Sequence, residues 1–419
     1  MSYFDLNLDL TAEDRAIRDA AHAFARDVAR PIGIQLDRMT ADETVAPASP
    51  IWKFLHEAYH LGYHKAAFPV EVGGLGFTPL QNHLLAEEMF WGSLGLGGVM
   101  MLAAWPFVKL LHTGDEALIK EFVVPFCACS DASIRGCWGI MEPDHGSDHI
   151  GQGEAFYTDP KLRGTVWARL DGDSWVINGE KAAWVSASPM ATVAMLNVQT
   201  DNSMGLAGGG TCMMPLDLPG VSRGRPLEKV GQRDMPQGSL IFEDVRIPRR
   251  YMFSDAAGHA DWVANNLGFG NTGMSVLALG LARAAFEEAY AYAKTRVQGG
   301  KPLAEHYAMK IRIHRMFTKV EAIRAFSRAV WNLNSAIYPP LPEYAYAAKV
   351  FCTETAREVI EEAVQIHGAN GLTKEYFIEK VWRDSRALTI EDGENDVLGR
   401  LGGQILNETF PRASITRVA

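Results

Sequence analysis

Residues 175–187 read WVINGEKAAWVSA, and the reading of this stretch decides the fold. Polar and apolar residues interleave through it, and Asn178-Gly179 is a strong hairpin-turn signal. Outward on both sides the texture continues. SIRGCWGIME (133–142), TVAMLNVQT (192–200), TCMMPL (211–216) and GSLIFEDVRIP (238–248) are short apolar runs cut by Gly, Pro, Asn and Asp. The pattern predicts an all-β domain over residues 133–252, with GLAGGGT (205–211) as a loop.

Farther out, both flanks read as helices. In LTAEDRAIRDAAHAFARDVA (10–29), Thr11 and Asp14 form a capping-box start, and Ile17, Ala20, Ala21 and Phe24 share one face. Helical spacing recurs at 49–62, 80–92 and 115–126, with the Pro/Gly-rich loop FPVEVGGLGF (68–77) between the first two. Beyond residue 253 three long amphipathic stretches, 274–297, 304–337 and 344–368, suit a four-helix bundle. The expected architecture is therefore α+β and multidomain. An N-terminal all-α domain (1–132), a middle antiparallel β-barrel domain (133–252) and a C-terminal helical bundle (253–419) follow one another.

Composition narrows the function. The chain has 419 residues, too many for one ordinary core. With 40 Lys and Arg against 50 Asp and Glu, the net charge of −10 argues against a nucleic-acid binder. A local basic pocket for an anionic ligand stays possible. The five cysteines, Cys127, Cys129, Cys137, Cys212 and Cys352, have no metal-type spacing and read as reduced thiols. No metal site is expected. The acidic start lacks an apolar signal region, and no run of 18 apolar residues occurs, so no membrane span is expected and the cytoplasm is the expected location.

Several motifs, in order, resemble those of the acyl-CoA dehydrogenase family. MEPDHGSD (141–148) resembles TEPxxGSD, and residues 175–187 resemble the strand pair ending in WIT/SN. GRPLEKVGQRDMPQGSLIFEDVRIP (224–248) resembles the KxGxR…FDxVxVP stretch. TRVQGGKPL (295–303) resembles RxxFGKxL, and QIHGANGLTKEY (365–376) resembles QxxGGxGY. WRDSRALTIEDGENDV (382–397) resembles the RDxR…IYEGT segment that ends with the family's base. Together they span nearly the whole chain.

The resemblance implies FAD as cofactor, an acyl-CoA substrate, electron-transfer flavoprotein as electron acceptor, and a homotetramer. The implied reaction removes an α-proton to a buried carboxylate and a β-hydride to the flavin. It aligns the base with Asp392, with Glu391 as the alternative. Trp138, Met141, Ser147, Trp184, Ser186, Gln365, Gly368 and Glu394 fall on cofactor-binding positions, and Arg296 aligns with a residue reaching a neighbouring subunit's FAD. Ser147, Asn271 and Gly393 fall on substrate positions. Plainer readings stand beside these. Trp184 suits a β-domain core, Ser147 a simple turn, Arg296 a helix C-terminus, and the acidic run Glu391, Asp392, Glu394 and Asp396 a solvated helix start.

The chain also departs from the family pattern. Met141 replaces a flavin-bonding Thr, Gly299 a Phe, Ala369 a Gly, and Asn271 an Arg beside the active site. Gly270 stands where one branch keeps an alternative catalytic Glu. The shorter Asp392 leaves space for a branched, bulky or cyclic acyl group. Two other readings follow from these losses: a nitroalkane-oxidase-like flavoenzyme on the same fold, and a catalytically silent partner subunit.

Overall fold

Helix starts in the first segment are fixed by their caps. Thr11 and Asp14 form a reciprocal capping box before Ala12–Phe24, and Thr78 and Gln81 do the same before Pro79–Gly92. Each box satisfies backbone N–H groups that a helix start leaves bare. A computed structural model describes residues 10–409. Its N-terminal helices enclose a core in which Phe54, Phe68, Phe107 and Phe126 are fully buried, with Phe107 stacked on Phe126 at 4.1 Å.

Helix Leu94–Leu111 carries no clear periodicity because it is apolar on nearly all sides. Its length and mean hydropathy of 1.7 would suit a membrane span, contrary to the expectation from run length, which Lys109 alone interrupts. Two-thirds of it (67%) is buried inside the protein, as a core helix would be.

The middle segment forms an eight-stranded sheet: β1 (Gly136–Gly139), β2 (Trp167–Asp171), β3 (Ser174–Ser186), β4 (Val193–Gln199), β5 (Gly209–Pro215), β6 (Val221–Arg223), β7 (Gln237–Pro248) and β8 (Met252–Ser254). The path runs β6-β7-β3-β2-β4-β5-β8, and β1 joins β4. Most pairs are antiparallel as expected, but β1 lies parallel to β4, and β2 meets β4 in parallel at Trp167–Gln199. Asn178-Gly179 is not a hairpin turn. The hairpin closes between Asp171 and Ser174 over Gly172, at φ +60°, while Asn178-Gly179 sits inside β3 at a bulge opposite β7. Both sites demand positive φ, so the dipeptide preference alone does not separate them. A Cβ on Gly179 would lie 2.7 Å from the Thr165 carbonyl oxygen.

The C-terminal segment is built on the 37-residue helix His259–Thr295. Tyr307–Ala336, Pro342–His367 and, from the first segment, Pro79–Gly92 pack along it. A buried ionic cluster ties the last of these down. Glu87 meets Arg283 at 2.7 Å, Arg324 at 3.2 Å and Arg328 at 3.4 Å, and Glu88 meets Arg283 and His22.

A candidate active site

Helix Phe377–Ser385 gives way to a short turn, Ala387–Thr389, after which the N–H groups of Ile390 and Glu391 both donate to the Ala387 carbonyl. Asp392 and Gly393 then take positive φ, +50° and +98°. Two left-handed residues in a row send the adjacent carboxylates different ways. Asp392 faces the long helix, its Oδ2 3.7 Å from where a Cβ on Gly270 would stand. Glu391 faces the connection between β6 and β7, hydrogen-bonded by Gln232 and attracted by Lys229.

The turn is held from three sides. Asn271 Nδ2 donates to the Asp392 carbonyl at 3.1 Å and to the Leu267 carbonyl at 2.9 Å. The buried Lys349 donates to the Gly393 carbonyl and to Asn395 Oδ1, both at 2.7 Å. A Cβ on Gly393 would meet Leu398 at 2.8 Å and Ile150 at 2.9 Å, so the turn packs against the segment that starts at Ser147. Asn271 thus grips the backbone of the turn. Glu394 Oε2 accepts from the N–H groups of Asp396 (2.9 Å) and Val397 (3.2 Å), and so caps the last helix, Asn395–Thr409. The reading of the acidic run as a helix start fits Glu394. It fails for Glu391 and Asp392, which precede the helix and face Gln232 and Gly270 instead of capping it.

Burial sets the electrostatics. It pushes Glu391 up to about 7, helped by the charge of Asp392 and opposed by Lys229. It raises Asp392 too, against the pull of Lys349. The amines respond in the opposite sense, and burial lowers Lys349 and Lys229 to about 8 each. Two carboxyls and two amines therefore sit with their titrations drawn toward neutrality, the condition for a group that exchanges protons near pH 7.

Indoles stand at either side. Trp105, on helix Leu94–Leu111, lies 3.9 Å from the same Gly270 position and stacks with Trp138 of β1 at 6.1 Å. Trp138 Nε1 donates to Asn197 Oδ1 at 3.0 Å. On β3, Trp184 is not a core residue: it is 61% exposed. Ser186 Oγ accepts from Gln237 Nε2 at 2.8 Å, and Gln237 Oε1 accepts from Lys229 Nζ at 2.7 Å, which links β3 to Glu391 through two side chains. Met141 receives a backbone bond from Ala182, and beside it Glu142 and Lys181 form a fully buried pair at 2.7 Å.

Three candidate residues lie elsewhere. Arg296, Gln365 and Gly368 are exposed at the far end of the bundle, where Tyr292 stacks on His367 at 4.3 Å. Along the helix from Asn271 to Thr295 that end is roughly 36 Å away at the standard rise. One chain does not bring these residues to its own Asp392.

Trp105, Lys349, Lys229, Gln232 and Gln237 did not emerge from the sequence, because their roles arise only when helix, sheet and turn meet. A fainter signal was present in Lys109, the lone charged residue of an otherwise apolar helix.

Three family models match the chain in order. They are the acyl-CoA dehydrogenase N-terminal domain over residues 11–130, the middle domain over 137–245 and the C-terminal domain over 260–406. The probable acyl-CoA dehydrogenase YngJ of Bacillus subtilis is 30% identical over 94% of this chain and 97% of its own length. The caffeyl-CoA reductase-Etf complex subunit CarC of Acetobacterium woodii is 27% identical over 92% of this chain and 96% of its own. Among solved structures, butyryl-CoA dehydrogenase from Megasphaera elsdenii superposes with a TM-score of 0.84 at 25% identity. That match covers 96% of this chain and 100% of the other.

Proposed function

The chain belongs to the acyl-CoA dehydrogenase family of oxidoreductases, and from that premise we propose that it oxidises the Cα–Cβ bond of an acyl-CoA thioester to the 2,3-enoyl-CoA with FAD as acceptor. One observation carries the reading. The Asp392 carboxyl is raised by burial and turned by a left-handed backbone toward Gly270, where the missing side chain leaves it facing Trp105.

In this reading Asp392 takes the α-proton, and Glu391 stays on the sheet side as its electrostatic neighbour. Lys349 and Asn271 fix the turn through the Gly393 and Asp392 carbonyls, so the carboxylate keeps its aim. Trp105 from the helix and Trp138 stacked on it from β1 shield the Asp392 side of the turn from water. The exposed Trp184 beside Ser186 suits a flat aromatic cofactor lying on β3, to which the Met141 backbone is also bonded, and Ser147 follows six residues on. When bound, FAD supplies the hydride acceptor.

Arg296, Gln365 and Gly368, far from their own chain's Asp392, suit contact with the FAD of a neighbouring chain, and we propose a homotetramer. Likeness to a subunit of an Etf complex supports electron-transfer flavoprotein as the electron partner. Five buried, unpaired cysteines accord with a reducing compartment, for which we propose the cytoplasm.

Anaerobic titration of the purified protein with straight, branched and cyclic acyl-CoA thioesters, followed by flavin absorbance, tests the reaction. Bleaching by one class is the expected result. Bound FAD that no thioester bleaches would overturn the dehydrogenase reading in favour of an oxidase or a silent subunit.

A further inference from the structure

Lys109 is 2% exposed, on the helix whose Trp105 reaches Gly270 beside Asp392. Its Nζ lies 4.2 Å from the ring centre of Trp105 and 3.7 Å from that of Phe269. Trp105 precedes it by one helical turn, on the same face, and borders Gly270. Phe269 is the residue next to Gly270 in the chain. The line Asp392, Gly270, Trp105, Lys109 therefore runs from the carboxylate into the protein.

Among the described residues no carboxylate forms an ion pair with Lys109. Burial alone governs its titration, pulling it well below the ordinary amine range. The other buried lysines differ. Lys181 has Glu142, Lys380 has Asp234 and Asp384, and Lys349 has a carbonyl and an amide oxygen. Next to Lys109 stand His112, which burial and the Lys109 charge lower to about 4, and Tyr338, stacked on His112 at 4.8 Å. Neither supplies negative charge. Two aromatic faces offset only a fraction of what it costs to strip water from an ammonium group. A side chain kept at such a cost, one indole away from the Gly270 position that Asp392 faces, suits an anion that arrives with the ligand.

We infer that Lys109 binds a carboxylate at the far end of the acyl group, so that the preferred substrate is the CoA thioester of a dicarboxylic acid. The inference rests on the dehydrogenase reading and specifies its substrate class. Lys109 is the specificity-determining residue, and Trp105 and Phe269 hold its stem.

The test compares an ω-carboxyl acyl-CoA with the alkyl acyl-CoA of equal length, on the holoenzyme and on Lys109→Met. Both flavin reduction and calorimetric affinity are read. The wild type is expected to prefer the carboxylated thioester on the order of a hundredfold, as for one partner of a buried charge pair. Lys109→Met is expected to reverse that order and to raise the unfolding midpoint of the substrate-free protein, since it removes an unpaired buried amine. Lys109→Gln serves as the second variant and should abolish the preference without reversing it. A wild type that favours the alkyl thioester, a preference that survives in both variants, or a lower midpoint in Lys109→Met would overturn the inference. Calorimetry reports Lys109 even without turnover. A wild type without binding preference thus counts against Lys109, and absent flavin reduction against the dehydrogenase reading.

Discussion

Two of the carboxylate clusters in this molecule behave in opposite ways. At Glu87 and Glu88 burial alone would raise the titration, but Arg324, Arg283 and Arg328 overcome it and hold Glu87 far below the usual range. At Glu391 and Asp392 the nearby cations are two amines that burial has itself weakened, so both carboxyls rise. The first cluster is saturated with guanidinium donors and cannot take a proton near neutrality. The second is left short of positive charge, and can. Compensation holds the joint between the first segment and the bundle, and undercompensation distinguishes the turn proposed as the site.

The sharpest way to break this contrast is to neutralise Asp392. Asp392→Asn is expected to slow anaerobic flavin reduction by about 10³-fold or more, within the range of a lost general base, while Glu391→Gln costs less than about tenfold. Equal losses in the two variants would move the base to Glu391. In the other region the damage should fall on folding. Arg283→Ala leaves Glu87 and Glu88 short of their shared partner and should cost about 3–5 kcal/mol in urea unfolding, with turnover per folded molecule unchanged.

The pH response should separate the regions in sign. Glu391 is raised from 4.5 to about 7, so the folded chain binds more protons than the unfolded one between those values. Its contribution is present below pH 4.5 and is lost as pH rises through 7. Glu87, lowered by its arginines, contributes stability that is present above its ordinary value and lost on acidification. Stability curves of Glu391→Gln should therefore flatten between pH 4.5 and 7, and those of Glu87→Gln should flatten only in acid. Unchanged curves would contradict both assignments. The smallest effect is expected at Glu394. Removing its cap in Glu394→Ala should cost about 1 kcal/mol and leave flavin content intact. Loss of flavin would restore Glu394 as a cofactor contact.

The order of helices, sheet and helices was legible because hydrophobic period changes sharply near residues 133 and 253, and capping residues such as Thr11 stand in plain view. Finer features were not. Asn178-Gly179 announces positive φ but not whether a turn or a bulge will use it. The choice between Glu391 and Asp392 depends on two consecutive left-handed residues, which an acidic run does not encode. Helix Leu94–Leu111 has no polar face to betray its period, so Trp105 and Lys109 stayed hidden until the long helix packed across them.

The left-handed backbone at Asp392 has a consequence for how this sequence drifts. Asn tolerates that conformation better than Asp, and Gly better still, so either replacement relaxes the turn while removing the carboxylate. Libraries sorted for folding alone should accumulate Asn and Gly at 392, and libraries sorted for turnover should purge them. On the proposed role of Asp392, position 392 is thus a place where inheritance can lose the reaction without losing the protein, and an Asp retained there would record selection for chemistry.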